Sequence, residues 1–242
     1  MPQNVITGNK YLLFIDTEAS GLPLNWSLPY SEEGNWPQPI QVSWTIYDDQ
    51  RKEIKKENRY IRNDHFHITE AAIAVHHLTT DFLSANGEKD IDVLDILAKD
   101  LETYQPLVIG HFIKLDYYVL GAAFFRAGLA NPLEHLPIFC TMLASGNLTN
   151  NYTGRQLHLG ELYTFLFYHE LNNQHNALVD AEATAACFFE MKSRGELTSG
   201  NIIQQNKAAD KWRDPTHNKR NYFSPLLLLA LVSSLIIYTA YL

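Results

Sequence analysis

The chain has 242 residues, 46% hydrophobic and 19% charged, enough to bury one substantial core and little more. Cys140 and Cys187 stand far apart without metal-ligand spacing, which argues against a disulfide framework or a zinc site and fits a reducing compartment. A formal net charge of −8 argues against a broad electrostatic footprint on nucleic acid, though not against a carboxylate pocket that turns positive once divalent metals bind. Residues 1–7 lack a basic region followed by an apolar run, so no secretory signal is expected, and the sequons at Asn25, Asn147 and Asn151 read as chance matches.

In chain order, Tyr11-Leu12-Leu13-Phe14-Ile15 is a continuous apolar run, suited to a buried central strand that delivers Asp16 at its carboxyl end. Between Leu22 and Pro39 the chain is rich in Trp, Pro and Asn. There Trp26 and Trp36 either stack on bases at the edge of a site or pin down a long loop. Ile40, Val42, Trp44 and Ile46 alternate with Gln41, Ser43, Thr45 and Tyr47, the pattern of a strand with one buried face. After a turn at Asp48-Asp49-Gln50, a third strand around 57–61 completes an antiparallel meander. Leu94, Leu97, Leu101 and Tyr104 recur at helical spacing until Pro106, ahead of a short strand Leu107-Val108-Ile109. Helices are expected over 116–127, stopping at Gly128, and over 180–193, stopping at Gly195. This order predicts an α/β fold with a mixed sheet flanked by helices.

Three segments concentrate the chemistry. Asp16 and Glu18 lie two apart at a strand end, so their side chains lean the same way and can share an oxygen-seeking divalent cation, while Gly21 permits the backbone to turn close to a ligand. Asp116 follows Gly110-His111 at the start of a helix, where it is either a functional carboxylate or a helix cap. Asp180 opens an apolar helix, and His175 on the preceding loop is placed to take a proton from water. His65, His67, His76, His77, His158 and His169 read as ordinary surface histidines. Lys114, Arg126 and Arg155 are candidate phosphate contacts.

Together, Phe14-Ile15-Asp16-Thr17-Glu18, Gly110-His111 with Asp116, and His175 with Asp180 resemble the exonuclease motifs of the DEDDh group. This DnaQ-like family of the ribonuclease H-like superfamily includes the epsilon proofreading subunit of bacterial DNA polymerase III. The likeness runs from about Tyr11 to Lys192 and takes in Ile73-Ala74-Val75-His76-His77-Leu78-Thr79 and Phe139-Cys140-Thr141-Met142. It implies a ribonuclease H-like fold over 1–195 and a 3′–5′ exonuclease acting on DNA 3′ ends, with single strands the expected substrate. Asp16, Glu18, Asp116 and Asp180 would hold two divalent ions, Mg2+ or Mn2+, and His175 would be the general base. Thr17, Ala19, Gly21, Leu22 and His111 are the expected substrate contacts. One departure stands out: many relatives carry Asn where this chain has Phe112 and an aromatic where it has Leu115, so contacts to the nucleotide differ here. An exonuclease acting on RNA or short oligonucleotides, a catalytically silent nucleic-acid-binding module, and a structural membrane protein remain as alternatives.

After a polar, basic linker expected over 196–224, residues 225–242 form an apolar tail whose seventeen residues from Leu226 to Leu242 carry no charge. That is the short end of the roughly 17–25 residues that cross a bilayer. Lys207, Lys211, Arg213, Lys219 and Arg220 precede it, so the positive-inside rule predicts a transmembrane anchor with the catalytic domain in the cytoplasm. A buried helix packed on the domain or in a dimer is the competing reading. No partner-binding peptide is evident in the linker, so any polymerase or repair partner stays unnamed.

Overall fold

The structure is a computed structural model that describes residues 9–64 and 66–213; the apolar tail and His65 lie outside them. Its centre is β1 (Tyr11–Ala19), which pairs antiparallel with β2 (Pro39–Asp48) on one side and parallel with β4 (Leu107–Gly110) on the other. The edges are β3 (Glu53–Tyr60) and β5 (Ile138–Cys140), giving the order β3-β2-β1-β4-β5. This is the mixed sheet that the sequence predicts.

Alternation along β1 sorts its side chains onto two cores. Leu13 and Ile15 join Val42 and Trp44 beneath α3 (Asp90–Tyr104) and α4 (Lys114–Ala127), whose Leu97, Leu101, Leu120 and Phe124 are fully buried. Leu12 and Phe14 face the opposite side, against α6 (Leu159–Phe167) and α7 (Ala177–Ser193) through Leu162, Phe188 and Met191. Two short helices, α1 (Glu70–His76) and α2 (Thr80–Asn86), close one end, and α5 (Thr141–Ser145) follows β5. The helix stops fall at the glycines: Gly128 caps α4 at φ 67°, and Gly195 follows α7 at φ 73°.

Two expectations change. β2 is buried on both faces, with Gln41, Ser43 and Thr45 fully covered, because α7 lies over the face that alternation assigned to solvent. Ser43 and Gln41 satisfy their polar atoms there by donating to Asn58 Oδ1, each at 2.8 Å. The stretch read as a linker also folds in part: α8 (Ser199–Ala209) packs on β5, burying Leu197 and Ile202.

The reason for that packing is the unpaired edge of β5. Cys140 N–H donates to Gln205 Oε1 (2.8 Å), Gln205 Nε2 returns a bond to Cys140 O (3.2 Å), and Ile138 N–H donates to Asn206 Oδ1 (2.8 Å). Two amide side chains thus stand in for a sixth strand and cover the edge. Gln205→Ala leaves backbone groups of Cys140 unpaired and is expected to cost about 1–3 kcal/mol in urea unfolding. The exposed neighbour change Gln204→Ala should stay within about 0.5 kcal/mol; equal effects at the two positions would show that α8 does not cover the edge this way.

Candidate active site

Asp16 and Glu18 sit in the last turn of the pleat of β1, on the same face as Leu12 and Phe14, and so point toward α7. The strand pairing shifts register between Glu18 and Ala19, and the chain leaves the sheet there, held by Ser20 N–H on Gln38 O (2.8 Å). Asp180 comes from the first turn of α7. Ligand atoms of Asp16, Glu18 and Asp180 all lie within 4.8 Å of one another.

The start of α7 is fixed tightly. Asn176 caps it by accepting from Leu178 N–H (3.1 Å) and Val179 N–H (3.4 Å). Gln41 reaches across from β2, accepting from Ala177 N–H (3.3 Å) and donating to Asn176 Oδ1 (3.4 Å). Asp180 Oδ2 accepts from the backbone N–H of His175 (3.0 Å), while its Oδ1 is buried without a partner among the described residues. His175 itself is exposed and in the left-handed region at φ 63°, on the loop that ends at the cap.

Asp116 approaches from the other side of β1. It does not cap α4, whose N-cap is Ile113 without a side-chain bond; its carboxylate accepts the Thr17 hydroxyl at 2.7 Å. Asp116 therefore stands outside the close trio but near enough that its charge acts on both Asp16 and Glu18.

The other predicted contacts scatter. Thr17 is buried, and its hydroxyl is engaged by Asp116. Ala19 lies at the register shift, and Gly21 backs onto Thr69, where a Cβ would come within 3.2 Å of the side chain. Leu22 projects into solvent. The ring of His111 pairs through Nδ1 with Thr141 Oγ1 (3.0 Å), and burial pushes its pKa down to about 4.

Several contributors were invisible or misread. Nothing in an alternating strand marks Gln41, whereas Asn176 ahead of an apolar helix is a recognisable cap signal. His76 is not a surface residue: the end of α1 folds it inward, and its Nδ1 accepts from Leu78 N–H (3.0 Å). Arg155 is taken by Glu161 (2.9 Å), and Arg126 donates to Gln38 Oε1 (2.7 Å) and to the carbonyls of Trp36 and Pro37.

Gathering these acids has an electrostatic cost. Burial, then the charges of Asp116, Asp180 and Glu18, raise the Asp16 carboxyl well above its ordinary range. Burial followed by Asp180 and Asp116 pushes Glu18 up to about 7. Burial lifts Asp116 to about 7 against the opposing Thr17 hydrogen bond, and Asp180 to about 6 against the His175 N–H and charge. Crowded carboxylate oxygens with one buried orphan atom are the donor set that a hard divalent cation takes. The residues present therefore fit such an ion.

Comparison with known proteins agrees with this geometry. A family model described as RNase_T, Exonuclease, matches residues 13–188, which includes every carboxylate of the site. The chain belongs to the exonuclease family. Family membership makes it a hydrolase of the nuclease class. No curated protein matches the chain at a significant level. Among solved structures, Escherichia coli exonuclease I in complex with a dT13 oligonucleotide matches with a TM-score of 0.62 at 20% identity over 77% of this chain and 42% of that one. The zinc-bound form of the exonuclease I complex with single-stranded DNA gives 0.64 at 20% identity over 77% and 41%. A product-bound exonuclease I gives 0.61 at 18% identity over 81% and 46%. The likeness is one of fold, and the chain spans less than half the length of these exonuclease I chains.

The site's charge also sets a stability profile. Each of the four carboxyls has a folded-state pKa above its unfolded value of about 4, so without metal these groups cost nothing at low pH and destabilise the fold as pH rises through 6 to 7. The metal-free melting temperature is expected to fall between about pH 5 and pH 8, and Mg2+ or Mn2+ should raise it more at pH 8. Asp16→Asn should raise the metal-free value at pH 8 and flatten the slope. A slope identical to that of the unsubstituted protein would separate the effect from this cluster.

Proposed function

We propose that the chain is a metal-dependent 3′–5′ exonuclease of DEDDh type that trims single-stranded DNA ends and releases nucleoside 5′-monophosphates. The observation that carries this reading is the trio Asp16, Glu18 and Asp180 within 4.8 Å, with His175 bonded to Asp180 beside it, in a chain of the exonuclease family.

Asp16, Glu18 and Asp180 would hold the ions, and Asp116 would add a carboxylate from the α4 side. Divalent ions, when held there, would supply the positive charge that offsets the negative charge of the scissile phosphate. Thr17 keeps Asp116 aimed at the site, and Gln41 with Asn176 keeps Asp180 on the cluster. His175 takes the proton from the attacking water at its imidazole and passes it to solvent, which its exposure allows. The water oxygen bonds to the terminal phosphorus as the bond to the departing 3′ oxygen breaks, so the phosphate leaves on the 5′ carbon of the released nucleotide. The exonuclease I structures in complex with dT13 and dA16 oligonucleotides support DNA as the strand of choice.

With 5′-labelled DNA and RNA and Mg2+ or Mn2+, the expected result is a DNA ladder shortening from the 3′ end. His175→Ala should lower kcat about hundred- to ten-thousand-fold, and Asp16→Ala should abolish the ladder. A ladder on RNA alone would move the enzyme to the exoribonuclease reading, and binding without hydrolysis of either strand would make it a binding module.

We also propose that residues 225–242, which lie outside the described residues, tether the enzyme to a membrane with its catalytic domain in the cytoplasm. An uncharged run of seventeen residues behind five basic ones supports this. Among the described residues no helix is long and apolar enough to cross a membrane, so the tether would rest on this tail. In cell fractionation the full chain should sediment with membranes, resist salt and be released by detergent, whereas a chain ending at residue 213 should not sediment.

A further inference from the structure

The loop between β1 and β2 carries two tryptophans with different fates. Trp36 is 4% exposed; it stacks on Tyr118 of α4 with ring centroids 4.4 Å apart and 10° between planes, and its Nε1 donates to Pro29 O (2.9 Å). The loop is further tied by Asn35 Nδ2 to Asn25 O (3.0 Å) and by Tyr30, which lies so close to Gly121 that a Cβ there would meet the ring at 2.8 Å. Pinning the loop is thus the work of Trp36, Tyr30 and Asn35.

Trp26 is left over. It is 36% exposed, rests edge-on against Trp36, and lies 5.6 Å from the ring of Phe112. Phe112 sits in the β4–α4 connection, which leads into the helix that carries Asp116, and holds a left-handed φ of 65° that a bulky side chain adopts only under strain. That strain brings an aromatic ring beside Trp26 at the exit of β4. Lys114 Nζ lies 5.8 Å from the Trp26 ring centroid and makes no ion pair among the described residues. Since β1 and β4 run parallel, with Phe14 opposite Ile109, both aromatics leave the sheet at the end that bears the carboxylates.

We propose that Trp26 and Phe112, with Lys114 beside them, form a ledge on which an unpaired base of the substrate strand stacks while the ammonium meets its phosphate. This rests on the exonuclease reading and adds the feature of the substrate that the site reads. A π-face accepts any base, so the ledge favours single strands without reading sequence. It also gives a use to the position where Phe112 replaces the polar residue of many relatives: the contact becomes a stack.

The test compares two substrates of the full-length enzyme: an oligothymidylate of about a dozen nucleotides, and the p-nitrophenyl ester of thymidine 5′-monophosphate, which has no second base to stack. For Trp26→Leu, which keeps apolar volume without a ring, the ratio of kcat/KM on the oligonucleotide to that on the ester should fall about tenfold to hundredfold. The loss should appear in KM, and Trp26→Phe should restore most of it. A ratio unchanged in Trp26→Leu overturns the ledge. So does oligothymidylate binding to the His175→Ala protein in Mg2+ that leaves tryptophan fluorescence unquenched, a readout taken with the metal in place and with Trp26 unchanged. If the unsubstituted enzyme hydrolyses neither substrate, the exonuclease reading falls; Trp26-dependent quenching would then still uphold the ledge as a single-strand contact.

Discussion

Four carboxyl groups crowd the carboxyl end of one strand, and most of the fold is arranged to keep them there. Left to relax, like charges in a low-dielectric setting would separate or stay protonated; burial pushes all four carboxyls in that direction, and the neighbouring acids push Asp16 and Glu18 further. The frame resists by pairing β1 on both sides and packing α4 and α7 against its two faces. Asp116 and Asp180 each lie in the first turn of their helix, where the macrodipole favours negative charge. The two helix starts thus deliver the acids and partly offset the repulsion they create.

Precision comes from neutral groups. Thr17 occupies the face of β1 opposite Asp16 and Glu18, and its hydroxyl reaches Asp116 there, so one strand orients acids on both of its sides. Gln41 ties β2 to the cap of α7, and the same Asn176 that closes the helix receives its amide. The left-handed conformation of His175 lets the loop turn its backbone N–H onto Asp180 while the ring remains in water. A residue in this conformation between Gln174 and a capping asparagine persists only because the cap and the carboxylate hold both of its ends.

What the sequence made legible follows from the length scale of each signal. The apolar run at 11–15, the helical spacing from Leu94 to Tyr104 and the glycine stops are local patterns, and the structure keeps them. Spacing also foretold that Asp16 and Glu18 share a face. What escaped depends on distant partners: Gln41 is hidden because α7, more than a hundred residues later, covers its face, and α8 is polar because its amides serve the edge of β5. Asp116 was ambiguous for the same reason. Whether an aspartate near a helix start caps that helix or faces a site is decided by Thr17, ninety-nine residues earlier. The two tryptophans of the first loop were indistinguishable by composition, and only the Tyr118 stack separates them.

The distribution of cations carries the argument from fold to substrate. A chain of net charge −8 has to grip a polyanion, and the structure spends most of its arginines on itself: Arg126 clamps the loop carrying Trp36, Arg155 holds Glu161, and Arg59 bridges Glu57 and Glu88. On the proposed function, attraction to phosphate would come from ions held by the acids, from Lys114 and from stacking that needs no charge. Such an arrangement makes strand binding depend on metal binding more than on a basic surface, because the unloaded pocket repels the phosphate that the loaded one attracts. On the same reading it would weaken long-range pull toward double-stranded DNA, whose bases would offer no free face to the proposed ledge at Trp26. On the proposed function, a preference for frayed or single-stranded ends would follow from the same economy of charge that crowds the carboxylates together.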